Sequence, residues 1–409
     1  MENLLDARIG RVITSPIMVN TIFRDCGTSV FEAMSRLAAE LGAINLGQGF
    51  PEALEPPELV EAAIAALRSG PHQYPPMLGV PALRQAVAEH AGRFWDLDLD
   101  WEREVLVTSG ATEAIGDCFL GLLNPGDEVI VFQPAYDCYG TMIRRAGGVP
   151  VPVRLQPPGW DLPRQELADA ITPRTRMIVL NTPMNPCGKI FDRDELAFIA
   201  GLLDRHDLVA ICDEVYEHLT FDGRRHLPLM ALPQARGRCL RIGSAGKTFS
   251  VTGWKVGYVM GDADLLAPVA RAHQFLTFTT PPALQAAVAE GLRLGDGYYD
   301  RLRATLQQRR DLLADGLRDA GFDVLDCPST YFLCVDIAGL DPAGDDIAFC
   351  DALLRQSGVA AVPVSTFYAG RDMRRLIRLC FAKRQETLET AVARLGAWRE
   401  GGEGWRRAS

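Results

Sequence analysis

The chain has 409 residues, with 42 Lys and Arg against 52 Asp and Glu for a net charge of −10. That length is too great for one simple core and calls for two packed subdomains, or one domain with an appendage. A hydrophobic fraction of 48% with 23% charged residues excludes a disordered chain, and the acidic balance argues against nucleic acid and an anionic membrane surface. No apolar run approaches the roughly 18 residues of a bilayer span. The opening Met-Glu-Asn-Leu-Leu-Asp lacks the basic and apolar regions of a signal peptide, so a soluble cytoplasmic protein is expected.

Residues 29–41 have helical spacing. Short apolar strand candidates follow at 104–108, 128–132, 176–181, 208–213, 239–243 and 256–260, separated by helical patterns such as 112–123 and 194–205. Near-continuous apolar strands alternating with helices predict an α/β domain, a mostly parallel sheet with helices on both faces. From 282 to about 320 an Ala-, Leu- and Arg-rich stretch predicts one long connecting helix. Strand signals at 330–335 and 376–380, with helical patterns around them, predict a smaller α+β domain. The polar tail from 401 to 409 is expected to fray. The ten cysteines form no C-x-x-C pair and none lies beside a His at metal-ligand spacing; most sit in apolar runs, so buried reduced thiols and no metal are expected.

In an open parallel sheet, functional groups gather at the carboxyl ends of the strands. After the first strand comes Thr108-Ser109-Gly110-Ala111-Thr112 and then a helix. Free backbone N–H groups at such a turn suit a phosphate, or the turn is an ordinary N-cap at Ser109 or Thr112. After the third comes Asn181-Thr-Pro-Met-Asn185-Pro-Cys-Gly188-Lys189, in which prolines bracket Asn185 in a stiff loop, or the Asn residues bond their own backbone in a turn. After the fourth comes Asp213-Glu214-Val215-Tyr216. A carboxylate ending a buried strand is costly unless it meets a cation. The fifth leads into Gly243-Ser244-Ala-Gly246-Lys247-Thr-Phe-Ser250 and on to Thr252-Gly253-Trp254-Lys255-Val-Gly257. A Walker-type loop would need two more residues before its Gly-Lys pair. A lysine held in a tight loop is instead what a Schiff base with an aldehyde requires. A phosphate turn, a buried Asp, a Tyr, an Asn and a loop Lys together match the needs of pyridoxal phosphate.

With these residues in place, the sequence resembles the fold-type I, class I aminotransferases, and within them the kynurenine aminotransferase, glutamine transaminase K and methionine aminotransferase branch. The motifs that match in order are Asn45-Leu-Gly-Gln-Gly49-Phe-Pro, Gln73-Tyr74, 181–188, 213–216, 244–257 and Ile377-Arg378-Leu-Cys-Phe381. The resemblance implies pyridoxal 5'-phosphate as cofactor and an aspartate-aminotransferase-like fold. It divides the chain into an N-terminal arm and part of the small domain (1–48), a large cofactor domain (49–290), a small domain (291–398) and a tail (399–409).

By the same resemblance Lys247 joins the cofactor aldehyde and then carries the proton at Cα. Asp213 holds the ring nitrogen protonated, and Tyr216 and Asn185 bond the phenolic oxygen. Ser244, Lys255 and the backbone of Ala111 and Thr112 hold the phosphate, and the ring of Tyr136 stacks on the cofactor. Arg378 clamps the substrate carboxylate, Gly49 admits the substrate past the backbone, and Tyr74 reaches the phosphate of a second subunit, which implies a homodimer. His72 stands where relatives usually have Asn, Thr279 where some kynurenine-type members have His, and Phe31 where they have Trp. These departures touch the side-chain pocket. In aspartate-specific relatives a partner arginine holds the distal carboxylate, but here Phe275-Leu-Thr-Phe278-Thr-Thr-Pro-Pro contains none. Phe31, Tyr74 and Phe278 therefore predict an apolar pocket for apolar, aromatic, sulfur-containing or glutamine-like donors. The alternative activity is a pyridoxal-phosphate C–S β-lyase acting on cysteine conjugates, which uses the same groups. A regulator on this scaffold would need a DNA-binding module, for which the segment ahead of the resemblance is too short.

Overall fold

Apolar, β-branched runs can satisfy their buried backbone groups only by pairing, and here they pair in one seven-stranded sheet. The computed structural model describes residues 20–24, 26–341 and 344–401. The sheet contains β1 (Val105–Thr108), β2 (Glu128–Gln133), β3 (Val149–Arg154), β4 (Thr175–Asn181), β5 (Val209–Asp213), β6 (Cys239–Ser244) and β7 (Gly257–Gly261). Their order is β1-β7-β6-β5-β4-β2-β3, and every pair is parallel except the two made by β7. Successive side chains feed two cores on opposite faces. Ile178 and Leu180 of β4 enter one, whereas Met177 and Val179 enter the other with Ile115 and Phe119 of the helix Ala111–Leu122.

Strand β3 and the connecting helix depart from the sequence expectation. Strand β3 reads Val-Pro-Val-Pro-Val-Arg, and its prolines hide it from a strand search. It is an edge strand, paired only with β2, where a missing N–H on the outer side costs no ladder bond. The expected long helix is two: Pro282–Leu292 and Asp296–Asp319, broken at Gly295. Gly295 is extended and caps the second helix, so the chain turns before the 24-residue helix begins.

That helix leads to a second sheet of β8 (Asp323–Val324), β9 (Phe332–Asp336), β10 (Val362–Pro363) and β11 (Leu376–Cys380), ordered β10-β11-β9-β8 and wholly antiparallel. The N-terminal segment joins this part of the molecule through Ile44–Asn45, which pairs in parallel with Val359–Ala360. The last helix runs Gln385–Glu400, so residues 399 and 400 of the expected tail are helical, and 402–409 lie outside the described residues. No helix among the described residues is long and apolar enough to cross a membrane.

One buried acid makes the helix Ala111–Leu122 pH-sensitive. Neither carboxylate oxygen of Asp117 has a hydrogen-bond partner, although Oδ2 lies 3.8 Å from Nδ1 of His273. Burial, and then the charge of Glu113, push its pKa from 3.8 up to about 8. Between those values the folded chain keeps a proton that the unfolded chain has lost, so stability falls as pH rises through that window. Asp117→Asn should flatten this fall, as measured by denaturant unfolding at a series of pH values across it.

Candidate active site

Because β7 runs against its neighbours, its first residue meets the last residues of both. Gly257 pairs with Thr108 of β1 and with Ser244 of β6. Asn181 at the end of β4 likewise pairs with Asp213 at the end of β5. One sheet edge thus collects the loops after four strands and before a fifth, and they enclose a cavity of about 330 Å³. That volume suits a small-molecule site.

At one end of the cavity the helix Ala111–Leu122 begins. Its N-cap is Gly110, with φ of 86°, and no side chain caps it. The alternative of a capped turn at Ser109 or Thr112 is therefore excluded, and the first N–H groups and the positive dipole end stay available to an anion. Lys255, itself at φ 54°, and Ser244 line the same end. A Cβ on Gly257 would lie 2.7 Å from the carbonyl carbon of Gly110 and 2.8 Å from the nitrogen of Ala111. Only glycine lets the start of β7 run against this helix end.

On the cavity floor Asp213 is buried. Oδ2 accepts from the hydroxyl of Tyr139, while Oδ1 has no partner. Burial raises its pKa, against the Tyr139 bond, the backbone N–H of Val215 and the charge of Lys247. Its carbonyl accepts from Nδ2 of Asn181 at 2.9 Å, and Oδ1 of Asn181 accepts from the backbone N–H of Asn185 at 2.9 Å. Lys247, half-buried in the short helix Ala245–Thr248, donates to the hydroxyl of Tyr331 at 3.1 Å. Tyr216 is buried, and burial raises its phenol pKa.

Arg378 extends from β11, where it pairs with Cys334 and Val362. Its Nη1 donates to Oδ1 of Asn185 at 2.8 Å and its Nη2 to the carbonyl of Gly47 at 2.7 Å, while Nε has no partner. Rings of Phe332, Phe31 and Phe367 stand 3.9, 5.0 and 5.2 Å from its guanidinium carbon. Flat, weakly hydrated guanidinium tolerates this aromatic box better than an ammonium.

A family model for class I and II aminotransferases matches residues 42–395. The chain belongs to that family. A probable N-succinyldiaminopimelate aminotransferase of Mycobacterium tuberculosis is 44% identical over 92% of this chain and 98% of its own length. The solved structure of that organism's enzyme superposes with a TM-score of 0.90, covering 93% of this chain and all of the other. Methionine aminotransferase of Escherichia coli is 39% identical over 93% of this aminotransferase and 98% of its own length. The corresponding figures for rat kynurenine–oxoglutarate transaminase 1 are 38%, 89% and 94%. The fold is aspartate-aminotransferase-like, and the activity is amino-group transfer.

Of the residues singled out in the aminotransferase sequence, Phe31, Gly49, Ala111, Thr112, Tyr136, Asn185, Asp213, Tyr216, Ser244, Lys247, Lys255 and Arg378 all line this one cavity. Tyr74 and Phe278 do not. They touch each other edge-on at 5.7 Å on the surface, 83% and 41% exposed. Tyr139, Asn181, Tyr331 and Phe332 were not singled out. Tyr139 could have been found one helical turn beyond Tyr136, and Asn181 as a polar end to an apolar strand. Tyr331 carries no local signal.

Proposed function

We propose that this cavity binds pyridoxal 5'-phosphate and that the protein transfers the amino group of an apolar, aromatic, sulfur-containing or glutamine-like amino acid to a 2-oxo acid. The observation that carries this reading is one enclosure holding Lys247 together with two unpartnered buried atoms, Oδ1 of Asp213 and Nε of Arg378. A buried polar atom without a partner is costly, and each of these faces a need of the reaction. The residues fit the group: an uncapped helix end with Lys255 and Ser244 for the phosphate, a carboxylate for the ring nitrogen, and a lysine for the aldehyde. Bound there, the cofactor supplies a ring that withdraws the electron pair left when Cα loses its proton.

The chain's own residues do the rest. Asp213 keeps a proton on the ring nitrogen through a charge-assisted bond. Tyr139 holds that carboxylate in place from the other side. Tyr216 and Asn185 donate to the phenolic oxygen, and Tyr136 covers the ring. Ser244, Lys255 and the backbone N–H groups of Ala111 and Thr112 hold the phosphate. Arg378 grips the substrate carboxylate, already oriented by Asn185 and Gly47. Nζ of Lys247 would take the proton from Cα and hand it to the cofactor's former aldehyde carbon, across the amino nitrogen. At Gly49 the backbone itself forms the wall, where a Cβ would stand 2.8 Å from the ring of Phe332.

Tyr74 and Phe278, with Phe275 83% and Leu276 58% exposed, form an apolar surface that we assign to a second copy of the chain. Tyr74 then reaches the phosphate of the neighbouring site, and Phe278 walls its side-chain pocket. The ten cysteines are all unpaired thiols, which suits a reducing, cytoplasmic compartment.

Purified protein should be yellow, and Lys247→Ala should abolish turnover while circular dichroism stays native. Asp213→Asn should keep the fold and lower kcat about tenfold or more, because a neutral amide replaces a charge-assisted bond. Stopped assays of amino-group transfer measure both.

Donor choice follows from the lining. Among the described residues the cavity's cations are Lys247, Lys255 and Arg378, each assigned to the cofactor or the α-carboxylate, and Asp137 adds a negative charge. A second substrate carboxylate would lose hydration without a partner. Methionine and phenylalanine should therefore exceed aspartate in kcat/KM with one fixed acceptor, whereas aspartate as the best donor would require a cation contributed from elsewhere.

A further inference from the structure

Beside the cavity stands a hydroxyl whose orientation is fixed on both sides. Tyr331, just before β9, is 1% exposed. Its Oη accepts from Nζ of Lys247 at 3.1 Å and donates to the carbonyl of Gly49 at 3.2 Å. A phenol has one proton, and a carbonyl can only accept. The proton therefore lies toward Gly49, and the oxygen lone pairs face Lys247. Burial raises the phenol pKa, so the proton stays on.

Both the ring and its anchor are held. The ring stands at 90° to Tyr216 with centroids 5.3 Å apart and packs on Phe332 at 4.7 Å. Gly49 lies in a segment pinned on either side: the carbonyl of Gly47 accepts from Arg378 at 2.7 Å, and that of Phe50 from Lys383 at 3.0 Å. The hydroxyl is thus a stationary acceptor aimed at a mobile amine.

We propose that Tyr331 is a positioning residue for Lys247. When an incoming amino acid frees the amine, Oη keeps one of its N–H bonds and so turns its lone pair toward the substrate Cα. This rests on the reading of Lys247 as proton carrier. In that step the Cα–H bond breaks and leaves its electron pair on the substrate, and the proton joins the lone pair of Nζ. With the cofactor bound, that electron pair would spread into its ring system, and the same proton would pass from Nζ to the former aldehyde carbon, leaving the amine neutral. An amine spinning freely about its last C–N bond points its lone pair elsewhere most of the time, and alignment of reacting atoms governs the rate of such a transfer.

Tyr331→Phe tests this, because it keeps the ring and removes only the hydroxyl. With L-methionine and 2-oxoglutarate, kcat is expected to fall about tenfold or more with KM within about twofold. Deuterium at Cα should slow the variant more than the wild type, since proton transfer then limits turnover. Unchanged kcat and isotope effect would overturn the proposal, as would a rise in KM with kcat intact. A second readout needs no turnover. In the full chain freed of cofactor, Lys247 is labelled with formaldehyde and cyanoborohydride and followed by peptide mass. An amine held on Oη must break that bond to leave its resting orientation and meet the reagent, so labelling should be several-fold faster in Tyr331→Phe; equal rates overturn the proposal even if the variant is inactive for other reasons. Lys247→Ala separates the two readings. If that variant retains turnover, the proton-carrier role fails; if it is dead while Tyr331→Phe is normal, only the positioning role fails.

Discussion

The site depends on the direction of one strand. Six strands of the large sheet run the same way, and had β7 joined them its start would lie at the far edge. Running antiparallel between β1 and β6, it sets Gly257 opposite both Thr108 and Ser244. The loop from Ser244 to Lys255 is thereby closed at both ends on one sheet edge, which is why Ser244, Lys247 and Lys255 face a common space. The cost is a backbone-to-backbone approach at Gly257 that no side chain survives. Function here follows from a local reversal in an otherwise regular layer.

Around that edge five polar residues, Tyr139, Asp213, Asn181, Asn185 and Arg378, form one connected chain. Tyr139 holds one oxygen of Asp213, Asn181 holds its carbonyl, and the same Asn181 receives the N–H of Asn185, whose side chain meets Arg378. This chain joins β5 of the large sheet to β11 of the small one through hydrogen bonds in a low-dielectric interior, where each is worth more than in water. Displacing one member shifts its neighbours, so substitutions here should not be additive.

Much of this was legible from the amino-acid order, and for identifiable reasons. Strands buried on both faces read as apolar runs, so β1, β2 and β4 to β7 were visible, and what followed each pointed to Asp213, Asn185, Ser244 and Lys247. Strand β3 was not, because Pro150 and Pro152 break the pattern that its edge position permits. The break at Gly295 was hidden because helical spacing resumes one residue later. The reversal of β7 is a property of pairing, not of spacing. Tyr331 lies 84 residues from Lys247 and 282 from Gly49, with nothing nearby to mark it. Tyr74 matches a motif and Phe278 lies in a segment without arginine, yet the cavity of a single chain contains neither.

The aromatic box around Arg378 bears on what the site admits. Arg378 is 2% exposed and its hydrogen bonds go to the neutral oxygens of Asn185 and Gly47, so among the described residues no carboxylate bonds it directly, and Asp137 acts on it only through the cavity. Under the proposed assignment, the direct partner of that buried charge is left to the guest. A primary amine of matching shape, lacking the carboxylate, leaves that charge uncompensated and adds its own. Under the proposed assignment of Arg378 to the substrate carboxylate, the cavity would sort molecules by electrostatic sign before it sorts them by shape, and decarboxylated analogues of the donors, alike in every apolar contact, would be turned away at the first criterion.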